Sequence, residues 1–272
     1  MLDDLNRELE GFVYVHREGP VLEIRMVKPK VNAICRRLSR SLERAAMHLQ
    51  NDPDLRVGIL ASGNEKAFSA GMDFKESFAP ETERGPGARE GGFGGITTLA
   101  SLKKPLIASI NAPAIGGGLE LALSCDMMVM AKDAYFQLPE LKRGLLPDGG
   151  GLQRLPRKIP YFVATAMIWT GDPMSADEAL RWGLVHRVAP REQLAVSTWA
   201  LAHSVAEGAP LAQQAFKEAL RFVDTMPDGE AMRLRADSDG DLVNFRKMLG
   251  SQDMLEGQRA FLEKREPRWR GC

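Results

Sequence analysis

The chain has 272 residues, and Lys+Arg and Asp+Glu both count 36, so its formal charge is zero. That balance argues against broad electrostatic attraction to nucleic acid and leaves only a local basic patch at Arg265, Arg268 and Arg270. The length suits one large domain, or a domain with a helical appendix, around a sizeable core.

Phe12–His16 and Val21–Met26 are short β-rich runs, and Glu18-Gly19-Pro20 between them signals a hairpin. Asn32–Gln50 carries Ile34, Leu38, Leu42, Ala45, Ala46 and Leu49 at helical spacing, and Asn51-Asp52-Pro53 stops it. Val57–Ala61, Leu106–Ile110 and Met127–Ala131 read as buried strands. The spacing predicts a helix over Gly116–Ser124. Strand–helix–strand alternation of this kind implies an α/β fold with a mainly parallel sheet and right-handed crossovers. Ala79–Gly95 is rich in Gly, Pro and charge and reads as a mobile loop, either over a site or on plain surface. After Pro190 the pattern turns helical, with candidates at Ala195–Ala206, Leu211–Val223, Glu230–Leu249 and Met254–Lys264. The division expected is therefore an α/β core over residues 1–190 and a helical region over 191–272.

Three segments carry chemistry. In Ile115-Gly116-Gly117-Gly118-Leu119-Glu120, glycines after a strand let the backbone turn sharply and approach a ligand. The helix that follows offers free N–H groups to an oxyanion. Close helix–strand packing is the other use of such glycines. Ala70-Gly71-Met72-Asp73 is a second small-residue turn, which frees the Met72 N–H. Asp73 is placed to cap the next helix. Glu120 lies among Leu119, Leu121, Ala122 and Leu123, where a lone carboxylate is costly unless used or paired. Glu140 follows a proline in a turn-like stretch. Asp148, in Pro147-Asp148-Gly149, is either a turn residue or a third carboxylate of the site. Two N–H donors with two carboxylates suit acid/base work beside a polarised carbonyl.

Other chemistries lack their signatures. The glycines precede no Lys-Ser or Lys-Thr, and no G-x-G-x-x-G or G-x-S-x-G occurs. His16, His48, His186 and His203 show no metal-ligand spacing, so no metal is expected. Cys35, Cys125 and Cys272 form no CxxC pair and suit a reduced, intracellular setting. The polar MLDDLNRELEG start resembles no signal or transit peptide. Glu120 and Asp126 interrupt the apolar run Ile115–Ala131, which argues against a membrane span. A cytoplasmic protein is expected.

FSAGMDFKE, INAPAIGGGLELALSCD, FQLPELKRGLLPDGGGLQRLPR, TGDPMSADEALRWGLVHRV and EGQRAFLEKREP, in this order, resemble the crotonase (enoyl-CoA hydratase/isomerase) superfamily over nearly the whole chain. The resemblance implies a ββα spiral core with C-terminal trimerisation helices, giving a homotrimer or a hexamer. It implies an acyl group carried as a coenzyme A thioester, with no catalytic cofactor. The thioester oxygen would sit between the N–H groups of Met72 and Gly117. Glu120 and Glu140 would hold and activate water. Coenzyme A contacts would come from Lys30, Ala70, Met72, Asp73 and Lys75, and from Phe261 and Lys264 of the tail. A glutamate at both positions fits a hydratase or dehydratase. Leu138 and Asp148 depart from simple hydratases, and PDGGGLQRLPRKIP is closer to the branch that dehydrates carnitinyl-CoA. A small or polar acyl group is thus favoured. Double-bond isomerisation and a non-catalytic CoA binder are the alternatives.

Overall fold

The computed structural model describes residues 2–235 and 242–272. Helix α1 (Leu2–Glu8) leads into β1 (Val13–Glu18) and β2 (Val21–Met26), which pair antiparallel with Glu18 opposite Val21. Gly19, at φ +53°, makes the hairpin turn. Next come α2 (Arg36–Asn51) and β3 (Val57–Ser62), then the short α3 (Phe74–Ser77) and β4 (Leu106–Ile110). After β5 (Ala114–Ile115) come α4 (Gly117–Ala122), β6 (Met127–Ala131), β7 (Tyr135–Gln137) and the 3-10 turn Glu140–Arg143. They are followed by α5 (Gly151–Lys158), α6 (Tyr161–Thr170), β8 (Met174–Ser175), α7 (Ala176–Arg181) and β9 (Arg187–Ala189).

β1, β2, β3, β4, β6 and β9 form one sheet in that order, parallel throughout except at the β1–β2 hairpin. Strands buried on both faces read as nearly continuous apolar runs. LIASI of β4 is buried throughout, and its one polar side chain, Ser109, is hydrogen-bonded to Thr198 Oγ1 at 3.0 Å. β5, β7 and β8 form a small second sheet. Ser69, in the segment between β3 and α3, bridges Ala114 of β5. α2 places Leu38, Leu42, Ala45, Ala46 and Leu49 in the core, as the helical spacing predicts.

The helix does not begin at Asn32. Residues 32–35 are non-helical, and Asn32 has φ +48° and is fully buried. Its amide donates to Ser62 Oγ at 2.9 Å and to the Phe68 carbonyl at 3.0 Å. Cys35 caps the helix instead, its sulfur accepting the Leu38 N–H.

The C-terminal part holds α8 (Leu194–Ala206), α9 (Pro210–Val223), α10 (Asp228–Ala231), α11 (Val243–Leu249) and α12 (Gln252–Glu263). α8 packs against β3, β4 and β6, and its Leu201, Ala202 and Ala206 join the main core. The helix predicted over Glu230–Leu249 is instead α10 and α11, and residues 236–241 between them lie outside the described residues. No helix among the described residues is long and apolar enough to cross a membrane.

Candidate active site

The two glycine turns meet. Residues 31–34 run beside residues 70–73: Ala70 donates to the Val31 carbonyl, Ile34 to the Gly71 carbonyl, and Asp73 to the Ile34 carbonyl. In such a ladder every second N–H points away from the partner strand, and Met72 occupies that position. Ser69 Oγ fixes the turn, donating to the Asn32 carbonyl and accepting the Gly71 N–H. Gly117 opens α4, where a helix has no internal partner for its N–H. Among the described residues, neither the Met72 nor the Gly117 N–H has a hydrogen-bond partner. Both residues line one cavity of about 270 Å³.

The glycines follow from this approach. Gly71 has φ +84°, and a Cβ there would lie 2.8 Å from the Ile115 carbonyl oxygen and 2.9 Å from the Gly117 nitrogen. Gly116 has φ +57°, and a Cβ there would lie 2.6 Å from Glu140 Oε1. Only hydrogen leaves room for two backbones and a carboxylate at one point.

Glu120 is one turn into α4, 5% exposed, and opens onto the same cavity. The Gly151 N–H donates to its Oε1 at 2.9 Å. A Cβ on Gly149 would lie 2.8 Å from its Oε2, so the Gly149-Gly150-Gly151 run wraps the carboxylate closely. Burial pushes the Glu120 carboxyl up to about 7; the Gly151 N–H opposes that rise, and the nearby charges of Glu140 and Asp148 add to it. Glu140 begins the 3-10 turn and lines the same cavity. Its Oε2 is buried with no hydrogen-bond partner among the described residues. Its carboxyl is also raised, chiefly by burial, with Asp148 contributing. An unsatisfied buried carboxylate oxygen is costly, and a proton on the carboxyl would lower that cost.

Asp148 and Phe93 complete the walls, with Leu145 and Leu146. Asp148 raises both glutamates electrostatically. Asp148→Asn is therefore expected to move the whole pH–rate profile to lower pH, a shift that kcat/KM measured across pH would detect.

Glu120 also links pH to stability. Its folded pKa lies above the ordinary 4.5, so its contribution is full below that value and lost as pH rises past about 7. The loss is about 3 kcal/mol. Glu120→Gln keeps an acceptor for the Gly151 N–H and carries no charge. Its Tm is expected to gain on the parent by about 5 °C between pH 5 and pH 8, measured by thermal unfolding.

Ala70 lies on the cavity with Met72. Asp73 caps α3 through the Lys75 N–H and pairs with Lys28 Nζ at 2.5 Å. It faces a second cavity of about 320 Å³, which shares Met72 and Phe93 with the first. Lys30 and Lys75 are exposed and line neither cavity. Phe261 on α12 is 84% exposed, and Lys264 ends that helix at φ +53°; both stand apart from the two cavities. Phe93, Lys28 and the glycines of 149–151 are contributors that the sequence reading did not assign. The signals near them were the Ala79–Gly95 loop, which contains Phe93, and the Pro147-Asp148-Gly149 turn.

The family model for enoyl-CoA hydratase/isomerase matches residues 16–272. The chain belongs to that family. It is 45% identical over 263 residues to a carnitinyl-CoA dehydratase of Salmonella heidelberg, covering 95% of this chain and 98% of that protein. A crystal structure of an enoyl-CoA hydratase from Mycobacterium tuberculosis is 36% identical and superposes with a TM-score of 0.83, over 96% of this chain and 100% of that one. An enoyl-CoA hydratase from Mycobacterium marinum, also 36% identical, gives 0.86 over the same shares. The architecture is thus the crotonase fold, with its helical C-terminal region present.

Proposed function

We propose that this chain, an acyl-CoA hydratase/dehydratase by family, adds and removes water across the Cα=Cβ bond of a small or polar enoyl-CoA such as crotonobetainyl-CoA. The observation that carries the reading is the cavity on which Glu120 and Glu140 face the two free N–H groups of Met72 and Gly117. A thioester oxygen accepts from both N–H groups. Negative charge builds there as water attacks Cβ, and fixed donors at that point lower the barrier. The glutamate pair shares one proton in the working state. Ionised Glu120 takes a proton from the water whose oxygen bonds to Cβ. Protonated Glu140 delivers its proton to Cα. Dehydration runs these steps backwards. The raised pKa of both groups keeps a proton on the pair at a pH where an ordinary carboxyl has lost its own.

In this reading coenzyme A lies along Ala70, Met72 and Asp73, and the charged heads of Lys30 and Lys75 meet its phosphates. Phe261 and Lys264 line neither cavity, and Phe261 is exposed, which supports their acting on a neighbouring subunit's coenzyme. Residues 191–272 serve as the oligomerisation region of a homotrimer or a hexamer. Exposed Phe216 and Leu220 on α9, with Phe261 and Leu262 on α12, support that role. No catalytic cofactor takes part, and three free cysteines suit a cytoplasmic setting.

Purified protein incubated with crotonyl-CoA and separately with crotonobetainyl-CoA tests the reading. Loss of the conjugated enoyl-thioester absorbance is expected with at least one of them, and the faster substrate identifies the acyl group. Persistence of the band with both would reject hydration. The position of Asp148 on the cavity wall favours isomerisation as the second reading. A 3-enoyl-CoA converted to the conjugated isomer, with Glu120 dispensable, would establish it.

A further inference from the structure

Three backbone N–H groups of the loop that walls the cavity are held by one carboxylate outside it, beside bonds from Thr97 and Thr98 to the carbonyls of Glu90, Gly91 and Phe93. Glu43 on α2 accepts the N–H groups of Arg89 and Glu90 at 2.7 Å each, and of Gly91 at 3.0 Å. Four residues earlier on the same helix, Ser39 Oγ accepts the Gly94 N–H at 3.1 Å. Backbone lies on backbone here: a Cβ on Gly95 would stand 1.9 Å from the Ser39 carbonyl oxygen and 2.7 Å from the Glu43 nitrogen. The stretch expected to be mobile is thus clasped to α2 over its last seven residues.

Those residues carry Phe93. The ring fills the space beside the donor: a Cβ on Gly117 would meet its Cζ at 2.4 Å, and one on Gly149 its Cδ1 at 3.2 Å. It therefore stands between Gly117 and the turn that wraps Glu120. It has no polar atom and makes no bond to either. It covers one side of Gly117 and of the turn that wraps Glu120, which narrows the approach of bulk solvent and leaves the cavity side open to a reacting water.

We propose that Glu43 is a positioning residue for the reaction: by holding the N–H groups of residues 89–91 it sets the Phe93 ring between Gly117 and Gly149. Its kinetic consequence rests on the hydratase reading; its structural consequence does not. Three backbone donors on one carboxylate form charge-assisted bonds, which are stronger than neutral ones. An amide in its place would turn an NH2 group towards donors and release the loop. Three charged groups bear on Glu120: Glu140 from its 3-10 turn, Asp148 from the turn before α5, and Arg154 from α5 itself. A change at Glu43 adds no charge beside Glu120. It reaches Glu120 either through Phe93 or through Arg154, which donates to the Thr97 carbonyl while Thr97 Oγ donates to the Phe93 carbonyl. The Phe93→Ala background separates the two routes.

Glu43→Gln, Phe93→Ala and the double variant test the proposal, by hydrogen exchange and by kcat/KM across pH. In Glu43→Gln, peptides spanning 89–95 are expected to lose protection while those of β3 and β4 keep theirs. Its kcat/KM is expected to fall about tenfold, with the profile moved to lower pH as Glu120 gains water. In the Phe93→Ala background the Glu43 change should cost nothing further. Unchanged exchange over 89–95, or losses that multiply in the double variant, would overturn it. A parent protein inactive on every enoyl-CoA would reject the hydratase reading, and the exchange result would still decide whether Glu43 holds the loop.

Discussion

Glu120→Gln and Glu140→Gln are each expected to cut hydration about 10³-fold while acyl-CoA binding stays near that of the parent. Each substitution keeps the shape and an acceptor oxygen but removes the titrating group. Glu120 sits where the Gly151 N–H and the Gly149 backbone already fix it, so the amide keeps its place. The double variant should be little worse than either single one, because the two groups serve one water and one proton. Initial rates and ligand titration of the three variants check this. Near-parental turnover in either single variant would break the paired-carboxylate mechanism.

Gly71→Ala carries the second large effect. The new methyl would stand 2.9 Å from the Gly117 nitrogen and 2.8 Å from the Ile115 carbonyl, on a backbone at φ +84°. One of the two turns must retreat, and the paired donors no longer converge. Loss of one such donor costs about 10²- to 10³-fold in kcat. The parallel pairing of residues 31–34 with 70–73 lies on the other side of the turn and keeps the local fold. The expected outcome is a collapse of kcat with a modest fall in Tm, read from steady-state kinetics beside thermal unfolding.

The buried strands were legible as short apolar runs bounded by polar or turn residues: Leu106–Ile110, between Pro105 and Asn111, and Met127–Ala131, between Asp126 and Lys132, match the structure to the residue. Helix ends were less so. Periodicity carries Ile34 into the α2 stripe, but the buried amide of Asn32 has tertiary partners at Ser62 and Phe68 that no local pattern reveals. Short elements such as β7, β8 and α7 escaped, since two to six residues give no period to read.

The site shows the same division. Glu120 stood out because a carboxylate sits at odds with an apolar helix, whereas Glu140 lies in a turn-like segment where a surface carboxylate is ordinary, and its role came from the family resemblance. Met72 and Gly117 followed from glycine placement. Phe93 and Glu43 did not, because Glu43 meets Arg89, Glu90 and Gly91 across 46 to 48 residues of chain. The glycines of 149–151 read locally as a turn, and only the arrival of the Glu120 carboxylate explains why side chains are excluded there.

The central claim is that Glu120 and Glu140 act on one water beneath a thioester held by Met72 and Gly117. Turnover of an enoyl-CoA in heavy water enriched in oxygen-18, read by mass spectrometry, tests it most directly. The account predicts a product with one oxygen-18 at Cβ and one deuterium at Cα per turnover, and neither label appreciably in the Glu120→Gln and Glu140→Gln variants. Deuterium without oxygen, or both labels at full rate in either variant, would contradict it.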